Sequence, residues 1–195
     1  MEISDTLRPV SNRRLIVKRM LSAFLVLLII LSGCSTGHKD DRNTVDNYYD
    51  AADQAELIVT GHFEEMEHTW NMARDLEDPS KESSSSYVEG RVYRFMIDEI
   101  FKGESISAEI LVNQRYSDDY SGKTELDEFY IEPQADQKYL LFLTYDEMFK
   151  HYYGSFDPFI FNVEGTRVSP SFEKYELRKQ LGEIELGTIR NYLQQ

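Results

Sequence analysis

Few side chains in this 195-residue chain have a type and spacing suited to chemistry. His62, Glu64 and His68 would share one face of an extended strand, and two neutral imidazoles with a carboxylate form an acceptable zinc ligand set. Their spacing is not that of a metalloprotease helix, and a solvated strand face explains them more simply, so no metal is assigned. Asp118 and Asp119, set between Tyr116 and Tyr120, and Asp75 with Glu77 and Asp78 are oxygen-rich clusters in stretches read as loop. They lack the alternating ligand positions and distal glutamate of an EF-hand, and hydration of exposed loops accounts for them. His151 lies between Lys150 and Tyr152, also in a stretch read as loop, with no nucleophile to serve as its base. Gly154-Ser155-Phe156 lacks the second glycine of a nucleophile elbow, and no phosphate-cradling glycine loop occurs. Cys34, the one cysteine, can close no intrachain disulfide and build no thiolate zinc site. No cofactor is expected.

Cys34 has the setting of a modification site instead. Residues 1–33 carry Arg8, Arg13, Arg14, Lys18 and Arg19 against Glu2 and Asp5, a net +3; the other 162 residues hold 16 basic and 33 acidic side chains, a net −17. A basic stretch followed by the apolar run from Met20 to Leu31 is the layout of an export signal. As a helix the run would span about 18 Å, well short of the ~30 Å hydrocarbon core. It ends in Leu31-Ser32-Gly33-Cys34, which resembles the lipobox of bacterial lipoprotein signals. The resemblance implies a signal peptide over residues 1–33, a diacylglyceryl thioether on Cys34, cleavage before it and acylation of the new amino terminus. The mature chain would then be an extracytoplasmic lipoprotein held to the membrane through Cys34. Two or three acyl chains such as palmitate, at about 0.8 kcal/mol per buried CH₂, exceed the marginal hold of one chain.

The elements that follow must supply everything else. Residues 34–44 are polar and aperiodic and read as a flexible tether; residues 45–195 read as a single domain. Thr44 or Asp46 is placed to cap a short helix carrying Val45, Tyr48, Tyr49, Ala52 and Ala55. Period-two alternation predicts a first strand from Ala55 to Phe63, then an exposed insertion over 66–86 with a helical turn near Trp70 and the run Ser83–Ser86. A long second strand from Tyr87 to Phe101 changes phase near Asp98 and Glu99, which predicts a bulge. Ala108, Ile110 and Val112 predict a third strand, with Glu109 and Asn113 facing outward; residues 115–125 read as loop. The continuous run Tyr139–Tyr145 is that of a central strand covered on both faces. Phe159, Phe161 and Val163 predict a fifth strand ending at the turn Glu164-Gly165, and Leu186, Ile189 and Leu193 predict a closing helix.

The expected fold is therefore mainly β, a small five-stranded Greek-key barrel of the OB type with short flanking helices. Three stretches in order, Ala55–Gly61, Phe95–Gly103 and Lys138–Phe142, resemble the first strand, the second strand with its phenylalanine-lysine-glycine turn, and the tyrosine-leucine strand of netrin-like domains, which include the tissue inhibitors of metalloproteinases. The resemblance covers roughly residues 52–165 and implies an OB barrel. It does not imply protease inhibition, because that family's zinc-chelating amino-terminal cysteine is held by a disulfide, which a chain with one cysteine on a tether cannot form.

The charge of −17 excludes nucleic acid as a natural partner, since affinity there comes from Lys and Arg on phosphates. Tyr116, Tyr120, Tyr152, Tyr153 and Phe156 crowd the loops that flank the expected barrel strands, and they form the candidate ligand surface; capping of the barrel ends is their alternative role. The expectation is a non-catalytic binding module for a protein or cell-envelope component. A cell-envelope hydrolase using loop carboxylates such as Asp118 and Asp119, or a purely structural surface lipoprotein, are the alternatives. Cys34→Ala is expected to abolish fatty-acid labelling and leave the leader uncleaved, as read by metabolic labelling and by the mass of the chain; labelling at the wild-type level would refute the anchor.

Overall fold

The computed structural model describes residues 43–105, 107–120, 123–172 and 175–195. The leader, Leu31, Ser32, Gly33, Cys34 and most of the tether lie outside the described residues. The described chain is mainly β, nine strands joined in one sheet with three short helices. The strands are β1 (Leu57–Asn71), β2 (Tyr87–Lys102), β3 (Glu109–Tyr120), β4 (Lys123–Leu126), β5 (Lys138–Asp146), β6 (His151–Gly154), β7 (Ile160–Glu164), β8 (Arg167–Pro170) and β9 (Ile184–Glu185). The helices are α1 (Tyr48–Gln54), α2 (Tyr175–Leu181) and α3 (Leu186–Leu193).

β5 is the strand on which the others depend. Its run Tyr-Leu-Leu-Phe-Leu has no polar face, so both faces must be covered. Tyr139, Leu141 and Leu143 enter one core with Leu57, Val59, Phe63, Phe95 and Val112; Leu140 and Phe142 enter a second with Tyr48, Ala52, Phe161 and Ile189. Both edges are also paired. β1 lies antiparallel along one edge, from Leu57↔Leu143 to Gly61↔Tyr139. The other edge is shared between β7, over Lys138–Leu141, and β6, over Leu143–Asp146. β1 pairs with β2, β2 with β3, and β3 meets β6 in parallel at Val112↔Tyr152, so successive pairings lead from β5 back to β5.

The β1–β2 ribbon is bent as its sequence implies. The register passes from Thr60↔Glu99 to Gly61↔Ile97, leaving Asp98 as the extra residue of the expected bulge. At that bend Gly61 lies so close to β2 that a Cβ would fall 1.9 Å from the Met96 carbonyl oxygen. The turn after β2 needs Gly103 at φ +81, where a side chain would also meet the Glu56 carbonyl. Outside the sheet, α1 and α3 cover Leu140 and Phe142, and Tyr192 on α3 donates to Asp53 at 2.9 Å.

Five expectations need correction. The cap of α1 is Asn47, whose Oδ1 accepts from Tyr49 and Asp50, not Thr44 or Asp46. β1 continues through Trp70 to Asn71 where an insertion with a helical turn was expected, because the ribbon runs beyond the core and its polar residues pair across strands, Arg94 with Glu65, Glu67 and Glu109. Residues 115–120 and 123–125 are not loop: β3 reaches Tyr120 and β4 pairs beside it. The sheet holds β4, β6, β8 and β9 beyond the five strands expected, short elements whose pairing comes from neighbours distant in sequence rather than from their own alternation. Asn113, expected to face outward, is buried.

Leu141 is 0% exposed at the crossing of β5 with β1 and β7. Leu141→Ala is expected to cost about 2–5 kcal/mol in urea denaturation, and an unchanged midpoint would mean that β5 is not the central strand.

Candidate functional site

Three parts of the sheet converge at one end. β1 ends at Trp70 and Asn71, β3 passes at Asn113, and β5 turns into β6 through residues 147–150. Together they enclose a cleft of about 190 Å³ lined by Trp70, Met72, Asn113, Asp146, Phe149, His151 and Tyr153. Local chemistry shapes both rims. Asn71 is buried and fully engaged: its Oδ1 accepts from Ala73 and Val88, and its Nδ2 donates to the carbonyls of Ser83 and Ser86, clamping the β1–β2 connection at its base. Asp146 Oδ1 accepts from the backbone of Met148 at 2.8 Å and Phe149 at 3.1 Å, and Lys150 adopts φ 59, which closes the β5–β6 turn. His151 and Tyr153 alternate on β6 and so face the same way, and Phe149 joins them in the lining from the turn.

The wall of the cleft is aromatic. The Trp70 and Phe149 ring centroids are 4.7 Å apart, His151 meets Trp70 edge-on at 5.1 Å, and it stacks on Phe149 at 6.0 Å. The Arg74 guanidinium lies 4.7 Å from the Trp70 centroid and 4.8 Å from that of Phe149, filling the cation position over both rings. Trp70 Nε1 donates to Asn113 Oδ1 at 2.9 Å. Gly90 is required beneath this pair, since a Cβ there would lie 2.5 Å from Trp70 Nε1. Among the described residues Asn113 Nδ2 reaches only the Met72 sulfur, at 3.5 Å, a weak acceptor.

His151 is 5% exposed, against the expectation of an exposed loop residue, because β6 packs it against the Trp70 and Phe149 rings. Burial pushes its pKa below the ordinary value; Asp146 opposes that shift and His68 adds to it. The imidazole is therefore neutral near pH 7. Among the described residues it makes no side-chain hydrogen bond.

The structure separates the five aromatic residues named as a ligand surface. Tyr153 lines the cleft and is 39% exposed. Tyr152 is half-buried against Tyr145, at 5.0 Å, on the neighbouring face of β6. Tyr116 carries the Arg91 guanidinium 3.2 Å above its ring, so that face is occupied. Arg91 in turn donates to Glu89 and to the Tyr130 hydroxyl, each at 3.0 Å, and Tyr130 bonds Tyr93 and Glu132, a network that fastens the segment before β5 onto β2. Burial, followed by the hydrogen bonds to Glu132 and Tyr93, raises the Tyr130 pKa. Tyr120 ends β3, paired with Lys123. Phe156 belongs to no surface: it is 3% exposed and packs on Phe142 in the helix-side core.

The carboxylate clusters also resolve into structural roles. Asp118 forms a bidentate pair with Arg115. Asp119 is its neighbour on a strand, so the two side chains point to opposite faces and cannot act together on one substrate. Asp75 Oδ1 accepts from Glu77 and Asp78, organising the β1–β2 connection. Two further irregularities of β1, between Phe63 and Met66 and between Met66 and His68, break the common face expected for His62, Glu64 and His68; His62 faces Asp98 at 3.8 Å instead. Among the described residues no three His, Cys, Asp or Glu side chains are placed to hold a metal ion.

Sequence reasoning passed over Trp70, Met72, Asn113, Asp146 and Phe149. The alternation Phe149, His151, Tyr153 was the available signal; their meeting with Trp70 was not, since it depends on β1 outrunning its apolar pattern.

Because the folded chain holds His151 below its ordinary pKa, the unfolded chain binds more protons as the pH falls through that value. Its contribution to stability is complete above pH 6.5, the ordinary value, and is withdrawn as the pH falls below it toward the folded pKa. The urea midpoint is expected to fall between about pH 7 and pH 5 by less in His151→Gln than in the wild type; parallel falls would mean that His151 is not the responsible group.

Compared with protein-family models, with curated proteins and with solved structures, the chain matches none, so its function has to be argued from its own residues.

Proposed function

We propose that the chain is a lipid-anchored extracytoplasmic protein whose β domain is a non-catalytic binding module for a protein or cell-envelope component. The observation that carries this reading is the cleft at the sheet end. An aromatic wall there is held by β1, β6 and the β5–β6 turn, and polar groups of Asn113, Asp146, His151 and Tyr153 retain hydrogen-bonding capacity toward its interior. Preformed clefts of this composition, mostly apolar with a few directed polar groups, are what ligand sites require.

The cyclic order of pairings, with β3 parallel to β6, supports a five-stranded Greek-key barrel of the OB type formed by β1, β2, β3, β5 and β6. Barrels of that type bind ligands with the loops after the first and fourth strands. The β1–β2 and β5–β6 connections correspond to those loops, and they are the two that form the cleft rims. The netrin-like resemblance agrees with this architecture. The sequence Leu31-Ser32-Gly33-Cys34 carries the anchor, and the charge of −17 on the remaining chain directs attachment to acyl chains rather than anionic lipid headgroups. It also favours neutral or cationic partners. The competing hydrolase reading loses its pair of carboxylates through the Asp118–Arg115 ion pair and the strand geometry of Asp119.

A photo-crosslinking residue at position 153 in living cells is expected to give discrete adducts in the membrane fraction, and one at the exposed position 188 on α3 none. Equal adducts from both positions, or a chain recovered from the cytosol with a free thiol, would remove the proposal.

A further inference from the structure

We infer that the cleft between the β1–β2 connection and the β5–β6 turn is a site for one neutral sugar ring, bordered by Trp70 and Phe149 and hydrogen-bonded by Asp146, His151, Asn113 and Tyr153. The assignment rests on the binding role proposed above and names its ligand class.

Size, charge and hydrogen bonding each narrow the occupant. A volume of about 190 Å³ admits one compact ring and not an extended chain. Cations are disfavoured because Arg74 already fills the cation position over both aromatic rings, at 4.7 and 4.8 Å from their centroids. Anions are disfavoured by the Asp146 carboxylate in the lining and by the net charge of −17 beyond the leader. What remains is a neutral molecule.

The polar groups then exclude a purely apolar one. His151 is 95% removed from solvent, given its 5% exposure, yet makes no side-chain hydrogen bond among the described residues, and it borders the cleft. A neutral imidazole offers one donor and one acceptor. Asp146 engages Oδ1 in the turn and has its second carboxylate oxygen uncommitted among the described residues. Asn113 Nδ2 has only a thioether for an acceptor. Tyr153 brings a hydroxyl from a ring that is 39% exposed. Donors and acceptors are thus mixed around an apolar wall of Trp70, Phe149 and Met72. An apolar occupant would leave these groups dry and unpaired, which is costly. A pyranose has the complementary pattern: C–H groups for the apolar part of the lining and a rim of hydroxyls that both donate and accept.

Trp70 is the only tryptophan in the chain and lines the site, so its emission reports occupancy directly. The full chain, in a detergent without a sugar headgroup, is titrated with glucose, galactose, N-acetylglucosamine and the β-1,4-linked dimer of the last. A saturable shift of Trp70 emission is expected with at least one of them. Asp146→Asn, which keeps the Oδ1 acceptor of the turn, is expected to weaken that sugar by about tenfold or more. Tyr153→Phe should weaken it by less, and Thr188→Ala on α3 should leave it unchanged. Should Asp146→Asn fail to fold, Tyr153→Phe decides. No saturable response to any of these sugars, a response to argininamide or indole as tight as to the best sugar, or a sugar response untouched by the folded variants overturns the assignment. Crosslinks at position 153 that persist after such a failure leave the binding role standing with another ligand class, whereas their absence removes both.

Discussion

Two-sided burial of β5 is the constraint from which the rest of the described structure follows. A strand with no polar face cannot lie on an open sheet surface, so Tyr139, Leu141 and Leu143 demand one core and Leu140 and Phe142 another. The first is supplied by β1, β2 and β3; the second by β7, β8 and the helices. An unpaired edge would leave backbone donors and acceptors dry, so each edge is paired as well, and the outer one is divided between β7 and β6. That division places the start of β6, and with it the turn at Asp146–Lys150.

The cleft is a consequence of this arrangement. The β5–β6 turn brings Phe149 and His151 to the end of the β1–β2 ribbon, where Trp70 waits at the last turn of pairing before the clamp formed by Asn71. Gly90 then leaves room for the indole Nε1, and Asn113 satisfies its N–H. Arg74 covers the aromatic pair from the connection side. Trp70 is placed by the pairing of β1, His151 and Tyr153 by that of β6, and Phe149 by the turn between β5 and β6.

Elsewhere, residues with equal chemical promise are consumed by structure. Tyr116 is a platform for Arg91, Asp118 is paired to Arg115, and Asp75 and Asp78 are turn-formers. Their composition resembles that of a functional surface, but their hydrogen bonds are already made. Uncommitted bonding capacity in a place shielded from water distinguishes the cleft from these clusters.

From sequence alone, the mainly β character, the bulge at Asp98, the turn at Gly103, the central strand and the closing helix were legible. Each depends on residues close together in the chain: an apolar run, a phase change, a glycine at a reversal. The ribbon extension through Trp70, the strands β4, β6, β8 and β9, and the burial of Asn113, His151 and Phe156 were not. Those depend on partners far away in sequence, such as Val112 beside Tyr152 and Trp70 beside Phe149, which alternation within a segment does not encode. A short polar strand is stabilised by its neighbour's backbone, and a histidine is buried by what packs over it, so the site was decided only when the sheet closed those distances.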